Sequence, residues 1–372
     1  MTGANSRRGE RGRTLLLSHR HVQPMVSKCM TFEFEELVSE VDAVETAPIP
    51  SKPWSRLATR VERTAPWLFA GARPLPVPDG PTYDLLYLSL HSTSELAQLQ
   101  PMNRILGMAE TTAVNIDEVW RSELSMRSGE LEMLRRFDFV FTPCEGSVDA
   151  LSRALGKRCH YLPHSIDTLR FFPYADRRPR TIDVYFMGRR RDELHRVLYD
   201  ATRSTNRLYL FDTAVVGEAY GYPEHRDHLA ELAQQTKYFV VDIAKANRPD
   251  QSGDQPELAL RYYEGAAAGA VLMGVAPATE GFARLFGWEN AVIPIPATAS
   301  AMASLLDELD ANPTATAAIR RANVVNSLRR HDGVYRWEQI LRTVGMEPLP
   351  GLDARKQRLE ELAKGVENSE PA

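Results

Sequence analysis

Two successive series of short apolar runs, separated by segments of helical spacing, constrain the fold of this chain more than any other feature. The first series comprises residues 14–18, 43–49, 83–90, 103–108, 137–142 and 159–162, each read as a strand. Helical spacing falls at 32–41, 51–61, 118–137 and 148–155, and the proline-rich 66–81 is a loop. After a basic, proline-bearing linker at 169–180 the alternation restarts, with strands at 182–187, 208–211, 238–243 and 291–295. Helices at 191–201, 224–235, 298–309, 314–328, 334–344 and 353–366 accompany them. Runs such as YDLLYLSL (83–90) are apolar on both sides, as strands of a mostly parallel sheet covered on both faces must be. The expectation is an α/β chain of two doubly wound domains. Residues 1–12 form a disordered arm, 13–168 the first domain, 169–345 the second, 346–366 a terminal helix and 367–372 a tail.

Composition narrows the function classes. The 372 residues carry 45 Lys and Arg against 49 Asp and Glu, a net charge of −4, which argues against nucleic acid as the main partner. Three cysteines, Cys29, Cys144 and Cys159, share no metal-ligand spacing and suit a reducing compartment. No apolar run approaches the roughly 20 residues that span a bilayer. These features place the chain in the cytoplasm, with peripheral membrane contact left open.

Within the second series, residues 257–274 (ELALRYYEGAAAGAVLMG) read as a helix, a Gly-rich stop and a buried strand. On such a helix Leu258, Tyr262, Ala266 and Gly269 form an apolar stripe, and Glu257, Arg261 and Glu264 a polar one. Around Glu264 the side chains shrink to Gly265, Ala266, Ala267, Ala268 and Gly269, so a carboxylate stands where a ligand could approach. An exposed Glu–Arg pair on an Ala-rich core helix explains the same pattern.

The sequence lacks a G-x-S-x-G elbow, a Walker loop, a G-x-G-x-x-G fingerprint and any Asp-x-Asp. His19-x-His21 is the closest-spaced histidine pair, and no zinc spacing is present. The expected site therefore has no metal and no cofactor. Open parallel sheets bind ligands at the carboxyl ends of their strands, so the two domains would share a cleft.

Four segments in order then resemble the GT-B glycosyltransferases, in particular the retaining group that uses nucleotide-sugar donors. They are 161–173 (YLPHSIDTLRFFP), 184–191 (VYFMGRRR), 260–274 (LRYYEGAAAGAVLMG) and 331–341 (HDGVYRWEQIL). The resemblance implies two Rossmann-like domains facing a cleft, with the donor in the second and a variable acceptor in the first. It implies a metal-independent transfer of a sugar from a nucleotide diphosphate-sugar to an acceptor hydroxyl.

Site residues follow from the same resemblance. Glu264 matches the glutamate that accepts hydrogen bonds from the donor ribose, a role suited to a two-oxygen carboxylate. Gly188 and Arg189, with Arg190 or Arg191, stand where a cation meets the leaving diphosphate. Glu257, Arg261, Gly265 and Ala266 complete the donor side, and helix N–H groups near Glu257 add to it. Arg189, Glu264 and His91 are the candidate catalytic residues, and His19, His21, His91 and Glu110 lie on the acceptor side. Two features depart from the family pattern. Pro256 occupies the position of the first family glutamate, and Ser18-His19-Arg20-His21 replaces a Gly-Gly turn. They keep two alternatives in view: a sugar-nucleotide epimerase of the same fold, and a non-catalytic protein that binds a glycan or partner.

Overall fold

The computed structural model describes residues 12–20, 25–49, 81–99, 102–173, 179–212, 221–253 and 255–368. His21, the helix expected at 51–61 and the loop 66–81 lie outside these residues, apart from the loop's last position, Pro81.

Six parallel strands build the first sheet: β1 (Gly12–Ser18), β2 (Val44–Pro48), β3 (Tyr83–Ser92), β4 (Ala109–Glu118), β5 (Phe139–Thr142) and β6 (His160–Tyr161). Their order is β2-β1-β3-β4-β5-β6. Side chains alternate across a strand, so Leu15 and Leu17 of β1 face one core and Leu16 the other. The Ser128–Leu134 and Val148–Leu155 helices cover the first face, and the Cys29–Val41 helix covers the second.

Five parallel strands build the second sheet: β7 (Ile182–Phe186), β8 (Tyr209–Phe211), β9 (Thr236–Val241), β10 (Val271–Gly274) and β11 (Ile293–Pro294), in the order β11-β10-β9-β7-β8. Helices Asp192–Ser204 and Ala299–Ala311 pack on one face. Helices Tyr222–Gln234, Leu260–Ala267 and Glu280–Phe286 pack on the other.

The chain then returns to the first domain. Helices Gly333–Val344 and Pro350–Asn368 bury Trp337, Ile340, Leu352 and Leu359 against Leu16, Leu37 and Tyr87 of the first domain. Trp337 stacks edge-on to Tyr87 at 5.5 Å and donates its indole N–H to Asp42 at 2.7 Å. This return fastens the two domains together. His331 and Asp332, in the last of the four family-like segments, serve it structurally. Asp332 caps the Gly333–Val344 helix, accepts from Thr168 and pairs with Arg355.

Two elements differ from expectation. Residues 103–108 were expected as a strand, but the Met102–Leu106 helix occupies them and the strand is β4. Gly107 ends that helix, and β4 escapes an apolar-run criterion because Thr111, Thr112, Asn115 and Asp117 punctuate it. The helix expected over 118–137 is a 3-10 turn at Arg121–Met126 followed by Ser128–Leu134.

Candidate functional site

The carboxyl ends of both sheets meet across a cleft, and the donor-side candidates lie at the end of β7. Gly188 takes a φ of +89°, a conformation that costs glycine little, and its N–H donates to Asp212 at 2.9 Å. Arg190 also pairs with Asp212, at 2.6 Å, and lies over the Phe211 ring. Arg191 forks onto Asp242 at 2.7 and 3.1 Å. Arg189 is exposed and, among the described residues, has no hydrogen-bond or ion-pair partner.

Glu264 is fully buried. Arg226 donates to one of its oxygens and Arg261 to the other. Burial pushes the Glu264 carboxyl up, but the two guanidinium groups outweigh burial and hold it below the usual carboxylate range. Arg226 continues to Glu33 of the first domain, with bonds of 2.8 and 3.1 Å. The result is a buried ionic chain, Glu33–Arg226–Glu264–Arg261, that crosses from one domain to the other and ends 3.9 Å from a Cβ placed on Gly188.

The neighbours of Glu264 have a different role from the one expected. Gly265 lies under Phe239 and Leu272, where an added Cβ would meet their side chains at 2.7 and 2.6 Å, and Ala266 is fully buried. Both serve helix–sheet packing and are shielded from a donor. Glu257 precedes the helix, which begins at Leu260, so it does not share a helical stripe with Arg261 and Glu264. Its carboxylate instead accepts from the backbone N–H groups of Glu145 and Gly146 at 2.9 and 2.8 Å. Those groups precede the Val148–Leu155 helix of the first domain. Burial raises the pKa of Glu257 despite these bonds.

On the opposite wall, His91 ends β3 and faces Asp117 of β4 at 3.4 Å, and His164 faces the other oxygen of Asp117 at 3.4 Å. Burial pulls the His91 pKa down, but the Asp117 bond and charge, with Glu118 and Glu95, raise it above the ordinary value. Burial pushes the Asp117 carboxyl up, and His164 and His91 bring it below the usual range. Glu95 accepts from the His91 backbone N–H at 2.9 Å and pairs with Lys28 at 2.5 Å. Lys245, from the second domain, bridges the cleft to Glu118 at 2.7 Å.

His19 follows β1 and is 2% exposed, and neither ring nitrogen has a hydrogen-bond partner among the described residues. Burial, and then Lys28, lower its pKa to about 4, so it is neutral at pH 7. Glu110 is misplaced for an acceptor contact. It was expected at the end of a strand, but it lies at the start of β4, at the amino end of the sheet's parallel strands and away from their carboxyl ends. Among the described residues no group of three or more His, Cys, Asp or Glu is arranged to hold a metal ion.

Residues 189–342 match the glycosyl transferase-like family. No curated protein matches the sequence. The solved structure of Anabaena Alr3699/HepE in complex with UDP-glucose superposes with a TM-score of 0.50 at 13% identity, over 90% of this chain and 99% of that one. An alpha-glucosyltransferase in complex with UDP-glucose and DNA containing an abasic site gives a TM-score of 0.56 at 10% identity, over 90% and 99%. The chain has the GT-B fold, and the segment 189–342 resembles the glycosyl transferase-like family. At such identities the structural likeness speaks to the fold, and the site rests on this chain's own residues.

Sequence reasoning on the site missed Arg226, Asp117, Lys28 and Glu33. Arg226 and Glu33 are 193 positions apart, so no local spacing links them. Asp117 carried a usable signal: it lies within a segment, VNID, whose apolar residues alternate with polar ones.

Proposed function

We propose that this protein moves a sugar from a nucleotide diphosphate-sugar to an acceptor hydroxyl, without a metal ion and with retention of anomeric configuration. The observation that carries the proposal is the guanidinium set at the end of β7. Arg189 is exposed and, among the described residues, unpaired beside Gly188, and Arg261 reaches the same turn. When the glycosidic bond breaks, its electron pair passes to the diphosphate, and a fixed cation there lowers the barrier. A donor phosphate oxygen accepts the acceptor proton in this scheme, so no protein nucleophile is required. Glu264 reaches the donor ribose if Arg261, whose side chain is 24% exposed, swings from the carboxylate to the diphosphate. The HepE complex makes UDP-glucose the first donor to try.

One observation favours a second stereochemistry. His91 is held by a buried carboxylate at a strand end, the arrangement of a general base, and in that role it would take the acceptor proton during an inverting displacement.

Incubation with a panel of nucleotide sugars beginning with UDP-glucose, with and without hydroxyl acceptors, tests the reaction. Release of nucleoside diphosphate with a new glycoside is expected, and the anomeric proton coupling of the product distinguishes retention from inversion. Interconversion to another sugar nucleotide would replace transfer with epimerisation. Absence of nucleotide binding would leave a glycan- or partner-binding role.

A further inference from the structure

A cavity of about 1070 Å³ lies away from the donor and acceptor walls, at the outer edge of the first sheet where both halves of the chain contribute lining residues. Its floor is the edge strand β6, and its sides are the Val148–Leu155 and Gly333–Val344 helices. Five arginines line it: Arg158, Arg284, Arg329, Arg330 and Arg336. Asp149 is the only carboxylate in the lining.

The charge of these groups is poorly compensated. Arg329 is neutralised, since it forks onto Glu360 and Glu367. Arg284 lies over the Tyr161 ring, and its nearest carboxylate oxygen, on Glu145, is 3.9 Å away. Arg158 and Arg330 are exposed and form no ion pair among the described residues. Arg336 is 7% exposed, and its Nε and Nη2 donate to the carbonyls of Pro163, His164 and Arg330. Among the described residues no carboxylate pairs with it and its Nη1 makes no hydrogen bond. A guanidinium cannot deprotonate in this range, so a buried one without a counter-ion is costly unless an anion completes it. Burial and the neighbouring Arg284 both lower the Arg336 pKa, and burial and Arg158 lower that of His160 on the same floor. Burial is the main cause of both shifts, and the neighbouring arginines add to it.

We propose that this cavity is a second anion site that binds a phosphate-bearing ligand, separate from the donor diphosphate site. Arg336 forms its buried base, and Arg158 of the first domain and Arg330 of the returning segment close on the ligand from opposite sides. Guanidinium groups suit phosphate oxygens because their planar fork gives paired, charge-assisted bonds.

Two phosphate sources are separable by titration calorimetry with inorganic pyrophosphate and by flotation with vesicles of phosphatidic acid in phosphatidylcholine. Each is run on the wild type, on the double variant Arg158→Glu with Arg330→Glu, on Arg158→Ala and on Arg189→Ala. Saturating UDP blocks the donor site throughout. With UDP present the wild type should still bind pyrophosphate, vesicles or both. The double variant should lose at least about tenfold in that affinity, and Arg158→Ala a smaller part, while Arg189→Ala keeps it. Binding by vesicles alone identifies a lipid headgroup, and binding by pyrophosphate alone a soluble phosphate. Thermal melting checks that the exposed substitutions leave the fold intact. Binding unchanged in the double variant, or no binding of either probe by the wild type with UDP present, overturns the proposal.

Discussion

The two walls of the cleft differ in how completely their buried polar groups are satisfied. On the second-domain wall almost every charge is matched: Arg190 with Asp212, Arg191 with Asp242, and Arg226 and Arg261 with Glu264. On the first-domain wall, among the described residues, both nitrogens of His19, Asp117 Oδ1, Asn115 Oδ1 and Trp120 Nε1 have no hydrogen bond. Each such group costs about 1–3 kcal/mol when left dry. A wall that holds charge in internal pairs is built to keep its shape. A wall with open donors and acceptors suits hydroxyl groups, which both donate and accept, as the proposed acceptor site would require.

The largest test breaks the paired wall at Arg226. Removing this side chain leaves Glu33 and Glu264 buried without their shared cation. We expect Arg226→Ala to cost about 3–5 kcal/mol in chemical denaturation. A loss near zero would mean that the domains do not depend on the ionic chain.

The open wall is tested at His91. His91→Ala should lower turnover by about a hundredfold while leaving nucleotide affinity, measured by calorimetry, unchanged. If His91 is a base, wild-type activity should fall as pH drops through its raised pKa, because protonation removes the acceptor lone pair. Near-native turnover in the variant would remove the open wall from the chemistry.

His19 supplies a pH test of the same wall. Its folded pKa of about 4 lies below the ordinary 6.5, so the folded state binds the proton less well than the unfolded chain. The stability linked to His19 is complete above pH 6.5 and is lost as pH falls toward 4, reaching about 2 kcal/mol at pH 5. His331, lowered to about 3 by burial, adds a parallel loss in the other half of the molecule. A His19→Asn variant should therefore have a shallower decline in denaturation midpoint between pH 6.5 and 5 than the wild type, but not a flat one. Identical slopes would mean that His19 gains a partner in solution.

Local periodicity made much of this architecture legible, and long-range pairing concealed the site. The Val148–Leu155 helix lies where its spacing and Gly156 place it, and Gly156 ends it with a φ of +70°. β3 and β7 also follow from their apolar runs. β4 did not, because its buried polar residues serve Asp138, Ser89 and His91 on neighbouring elements. Glu264 was recognisable as a carboxylate among small residues. Its partner Arg261, on the same polar stripe, was recognisable too, but Arg226 was not, since it lies on a different helix 38 positions earlier. Glu257 was placed on the wrong element because its partners are backbone N–H groups in the other domain, 111 and 112 positions away.

The smallest expected effect concerns the exception on the paired wall. Arg189 is the exposed member of the three consecutive arginines and lacks a carboxylate partner among the described residues, whereas Arg190 and Arg191 are each held. Nothing in the fold depends on it, so Arg189→Ala should leave the melting temperature unchanged. If it meets the donor diphosphate, the substitution should weaken nucleotide diphosphate binding by about tenfold, the loss of one charge-assisted contact at a solvated position. Arg190→Ala offers the contrast. It frees Asp212, which then places an uncompensated negative charge beside Gly188 and should also weaken the nucleotide, but with a fall in thermal stability. A loss of affinity in both variants with a loss of stability only in Arg190→Ala would show that a single wall separates its cations by task, one binding ligand and the others holding the turn. Equal stability losses would show that Arg189 is another structural member of the wall.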